Sequence, residues 1–134
     1  MTVLHAVEEG VGRDELERIV AVWQQRLRLG HWQIRIDWDT PSDHHADIKP
    51  WSVYDYATLR FNSAAPTWSP LIANRNIVHE LLHLALRDVD YAVETAELVM
   101  AANTYKLFEA AVDNASEAAI DRLATVLVHL AGPA

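Results

Sequence analysis

The hydrophobic period of this chain changes twice, and those changes limit what it can fold into. In "RDELERIVAVWQQRLRLG" (residues 13–30), Leu16, Ile19, Val20, Trp23 and Leu27 share one stripe of a 3.6-residue period. That predicts an amphipathic helix stopped at Gly30. In "WQIRIDWD" (32–39) the period shortens to two, with Trp32, Ile34, Ile36 and Trp38 alternating with polar residues as in a strand with one buried face. "TPSDHH" is a turn. Two further short strands are expected in "ADIKPWSV" (46–53) and "YATLRFN" (56–62), joined near "SVYD". Pro50 cannot donate to a sheet ladder and so marks an edge or a bulge. After an "APTWSP" loop the helical period returns almost to the end. It predicts helices over residues 71–88, 92–112 and 117–130, the last with Ile120, Leu123, Ala124 and Leu127 as its core stripe, closed by Gly132 and Pro133. A helix, a small antiparallel-rich sheet and then helices make an α+β fold. The 134 residues suffice for one domain, expected to span residues 1–134.

Composition narrows the function classes. The formal net charge of −8 disfavours a polyanion partner, and no basic cluster offsets it, so no nucleic acid is expected. "RLRLG" at 26–30 is the nearest approach to one. The segment "MTVLHAVEEG" lacks the basic start and apolar run of a signal peptide, and no apolar stretch reaches membrane-spanning length. A cytoplasmic location with no membrane partner is the expectation. The chain contains no cysteine, so any metal must be held by His, Asp or Glu.

One motif carries chemistry. Residues 79–83 read "HELLH" in the middle of the predicted 71–88 helix. Residues four apart share a helix face, so His79 and His83 can point at one ion. Two neutral imidazoles leave room on zinc for a third protein ligand and a water. Glu80 lies about 100° round from His79, where it reaches such a water rather than the ion. A carboxylate so placed can act as general base and return the proton to a leaving amine. The bland reading is a core helix with two satisfied histidines. Ile77, Val78, Leu81, Leu82, Leu84 and Leu86 surround the motif, so the helix is expected to be buried, and buried histidines need partners that a zinc ion would supply.

The third ligand is open on spacing alone. Glu94, Glu97, Glu109, Asp113, Glu117, Asp121 and His129 all follow the motif. Glu117 stands at the start of the expected last helix, yet "NASE" at 114–117 also reads as a capping box. Asp121, one turn later on the same side, is either a ligand or a partner that orients one. Glu94 and Glu97 read equally as a solvated helix face.

"IVHELLHLAL" followed by "EAAIDRLATVL" resembles the compact zincin-type metallopeptidases of phages and prophages, and is similar to the ImmA/IrrE-like group. In that group HExxH is followed by a Glu at the start of a later helix that ends in an F/L-A pair, here Leu123-Ala124. The resemblance covers chiefly residues 75–130. It implies a zincin-like minimal metallopeptidase fold, with His79, His83 and Glu117 as ligands of Zn2+ and Glu80 as general base. It also implies that the strand before the metal helix holds the substrate as an added strand. That strand is "YATLRFN", with Thr58, Leu59 and Arg60 as substrate-binding residues. The implied function is a zinc-dependent endopeptidase acting on a protein or peptide. A zincin fold that binds a partner with structural zinc and no longer cuts is the alternative, and a metal-free interaction domain is a third.

Other residues carry weaker signals. His44 and His45 could bind metal with Asp43 or Asp47, or form a solvated loop. Tyr54, Tyr56, Tyr91 and Tyr105 are possible donors to an oxyanion, and spacing selects none of them. Trp51 and Trp68 flank the strand and loop near the expected cleft.

Overall fold

The structure, a computed structural model, describes residues 10–51 and 54–134. Leu16, Ile19, Val20 and Trp23 form the buried stripe of α1 (Gly12–Arg26), as the period requires. The helix stops before Gly30. Arg28 takes the left-handed position at φ 57°, and the Leu27 and Leu29 amides turn back onto the Trp23 and Gln24 carbonyls. At the other end, a Cβ on Gly10 would meet the Pro66 carbonyl oxygen at 2.0 Å. Glycine therefore lets the approach to α1 run against the short 3-10 turn Ala65–Thr67, where the Val11 amide donates to the Trp68 carbonyl.

The three strands are β1 (Gln33–Asp37), β2 (Ala46–Pro50) and β3 (Tyr56–Phe61), in the spatial order β1-β3-β2. β1 runs parallel to β3, and β2 antiparallel to it. The sheet is thus mixed rather than antiparallel-rich. β3 buries Ala57, Leu59 and Phe61 on alternate positions and suits the centre. β2 carries Pro50 at its end and suits the edge. Residues 52–53, part of the expected second strand and of its junction, lie outside the described residues.

Helix α2 (Pro70–Ala85) has a well-specified start: Ser69 caps it, its Oγ accepting from the Ile72 amide at 3.3 Å, and Pro70 occupies the first turn. It is the central element, packed against α1, β2 and α4. Ile77, Val78 and Leu81 are fully buried. So is Asn74, whose side-chain oxygen accepts from Trp23 Nε1 and from the Ala134 amide, each at 2.6 Å, while its amide donates to the Pro70 carbonyl at 2.7 Å. Burying an amide is tolerable only with such partners.

The C-terminal half departs from the sequence expectation. In place of helices at 92–112 and 117–130 there are α3 (Arg87–Ala96) and one 30-residue helix, α4 (Ala102–Ala131). Over residues 97–99 the backbone bonds tighten to the carbonyl three residues back, which ends α3. "NASE" caps nothing. Asn114 and Ser116 lie inside α4, where their unfavourable helix propensity, up to about 0.7 kcal/mol each, is small beside the packing of Ile120, Ala124 and Val128. Leu127 is partly buried against the core, but Leu123 is 47% exposed and does not belong to its stripe. Gly132, at φ 79°, closes the helix. Among the described residues no helix is long and apolar enough to cross a membrane.

Candidate metal centre

His79 and His83 lie one turn apart on α2, their ring centroids 5.3 Å from each other. Glu117 comes to them from the middle of α4, which runs alongside. Its Oε2 is 3.3 Å from His79 Nε2, and its Oε1 is 2.9 Å from His83 Nε2. One ligand atom from each of the three residues lies within 4.8 Å of the others, and among the described residues this is the one such group. Ligand atoms of a tetrahedral zinc with bonds near 2.1 Å sit ~3.4 Å apart, so the nitrogen–oxygen separations are close to the size a shared ion needs. Two imidazoles and a carboxylate are also the donor set of an open zinc site.

Asp121, one turn beyond Glu117, holds the other face of His79: its Oδ1 is 2.7 Å from Nδ1. A proton on Nδ1 directed at this carboxylate leaves the Nε2 lone pair facing Glu117 and His83. At His83, burial pushes the imidazole below its ordinary pKa, against the attraction of Glu117, and so favours the neutral form that binds metals.

Glu80 is 9% exposed, with Oε1 4.0 Å from His79 Nε2. Burial, then the charges of Glu117 and Asp47, push its carboxyl up to about 8, the Ile48 main chain acting the other way. It is close to the three-residue group and outside it.

These residues line a cleft of about 510 Å³, whose opposite wall is β2 with His44 and His45. The substrate-edge expectation is therefore corrected. β3 is paired on both sides. Leu59 is fully buried in the core, Thr58 Oγ1 accepts from Trp51 Nε1 at 3.3 Å, and Arg60 forks onto Asp47 at 2.9 and 2.8 Å. The edge at the cleft is β2, and Pro50 was the sequence signal for it.

The other candidates fall elsewhere. Asp47 faces opposing influences: burial acts to raise its carboxyl, but hydrogen bonds from Arg60 and Ser42 hold it low. His45 lies edge-on to Trp68, which in turn packs edge-on to Phe61. Glu94 pairs with Arg87 at 3.4 Å, and with Glu109 and Asp113 it lines an adjoining cleft. Tyr105 donates to Glu109 Oε2 at 2.9 Å, which pushes its hydroxyl up to about 12. Tyr54, Tyr91 and Trp51 line a separate depression. Asp43, Glu97 and His129 join no group of ligand atoms among the described residues. No protein-family model, curated protein or solved structure matches the chain.

Proposed function

We propose that the protein is a zinc-dependent peptidase of the zincin type, with His79, His83 and Glu117 as metal ligands and Glu80 as general base. The observation that carries this reading is the convergence of the three ligand atoms within 4.8 Å, on two different helices, with a buried carboxylate beside them. When bound, zinc supplies a Lewis acid that polarises a scissile carbonyl and makes water more acidic.

The chain's own residues supply the rest. Among the described residues β2 pairs with β3 alone, so its outer edge could take an extended peptide along the cleft as an added strand, in competition with Glu80 for the Ile48 main chain. Glu80 takes a proton from the attacking water and passes it to the leaving amine. Burial makes its carboxylate a stronger base than an exposed one, which suits the first transfer, and the charge of a bound cation would act the other way on its pKa. Asp121 keeps His79 in one orientation and one tautomer.

The test is cleavage of a peptide library by zinc-loaded protein and by Glu80→Gln. The parent should cut and the variant should lose at least about 100-fold in rate, while binding zinc as tightly. Equal cleavage by both would end the mechanism. Zinc binding with no cleavage by the parent would favour a zincin fold that binds without cutting.

A further inference from the structure

Only four residues of the 30-residue α4 are buried: Tyr105, Ile120, Ala124 and Val128. Its carboxylates Glu109, Asp113, Glu117 and Asp121 recur at every fourth position and line the two clefts. Away from them runs a second stripe, made of Phe108, Val112, Ala115, Ala119, Leu123, Val126 and Leu130. At about 100° per residue these side chains share an arc of about 80°, centred about 140° from the carboxylates. Phe108 is 37% exposed, Leu123 47%, Val126 49% and Leu130 76%. Ala115 and Ala119 are exposed as well, and Val112 is half-buried.

The steps along this stripe are 4, 3, 4 and again 4, 3, 4 residues. Two 11-residue repeats keep close to the helical period, so the stripe runs nearly straight for ~33 Å. The spacing also reads the same in both directions from Ala119. A two-fold dimer needs a patch that complements itself. A second α4 laid antiparallel, with Ala119 on the axis, would set Phe108 against Leu130 and Val112 against Val126. Ala115 would meet Leu123, a small side chain against a large one.

Charge permits that occupant only at such a face. With a net charge of −8, two copies repel unless they meet where carboxylates are lacking. The strip flanking the apolar line on its outer side holds Thr104, Ala111, Ala118, Arg122 and His129, with no carboxylate. We infer that α4 is a dimerisation helix, pairing antiparallel through Phe108–Leu130 with the same helix of a second copy. The pairing leaves the clefts open and does not depend on the metal reading.

Light scattering of the full chain over a wide concentration range tests the pairing. The dimer should appear at twice 15.1 kDa. Val126→Glu, which acts twice across a two-fold interface, should raise the dissociation constant by about 100-fold or more, with an unchanged circular dichroism spectrum. The chain has no cysteine, so Ala119→Cys introduces a single thiol on the axis. Diamide should link it into covalent dimers, whereas Asn114→Cys, exposed and about 140° round the helix, should stay uncrosslinked. A parent of monomer mass at every concentration would overturn the inference. Equal cross-linking of the two cysteine variants would also overturn it.

Discussion

Replacing Asp121 by alanine should weaken zinc binding without unfolding the protein. Asp121 Oδ1 sits 2.7 Å from His79 Nδ1 and outside the three-residue group. Removing a carboxylate that orients a ligating histidine costs about 10- to 100-fold in metal affinity. The Asp121 side chain is 71% exposed, so water screens its charge and the loss belongs at the lower end. Tenfold corresponds to about 1.4 kcal/mol. Asp121→Asn keeps an acceptor oxygen while removing the charge, and should fall between parent and alanine variant. Competition for zinc against a chromophoric chelator measures the affinity, and chemical denaturation of metal-free protein supplies the control. The denaturation midpoint should shift little, because the residue is on the surface. If Asp121→Ala binds zinc as tightly as the parent while His79→Ala binds none, Asp121 does not orient His79. If both variants bind normally, the ligand assignment itself fails.

Two other outcomes follow from the packing. In metal-free protein, Glu80 is raised from 4.5 to about 8, so its contribution to stability is full below about 4.5 and is lost as pH rises through 8. Denaturation between pH 5 and 8 should show the parent losing up to about 1.4 kcal/mol per pH unit relative to Glu80→Gln, and parallel curves would contradict the burial argument. Gly10→Ala places a Cβ 2.0 Å from the Pro66 carbonyl oxygen and should lower stability by more than about 2 kcal/mol, read as a drop in melting temperature.

How much of this was legible in the sequence follows from how local each feature is. His79 and His83 were legible because four residues along one helix fix their relation, whereas the Ser69 cap that starts the helix reads only as part of the "APTWSP" loop. Glu117 was placed at a helix start and proved to lie mid-helix, yet it meets the histidines, because Ile120 and Ala124 of the expected stripe do turn into the core and α4 packs against α2. The break at 97–101 carries no glycine or proline to announce it. The sheet order was hidden because the parallel β1–β3 pairing joins residues far apart in the chain, and nothing in "YATLRFN" says how many neighbours it has. Leu123 lies at the edge of the exposed stripe nearest the core, about 60° round from Ile120, so a core period captures it as well.

The ladder of Glu109, Asp113, Glu117 and Asp121 means that sliding α4 by one turn in either direction would still present an acid to the two imidazoles. Acid chemistry alone does not choose the rung. The choice belongs to the packing of α4 on α2, in which Ile120 has no exposed surface and joins the core, so a hydrocarbon that touches no ion helps set which oxygen the ion would meet.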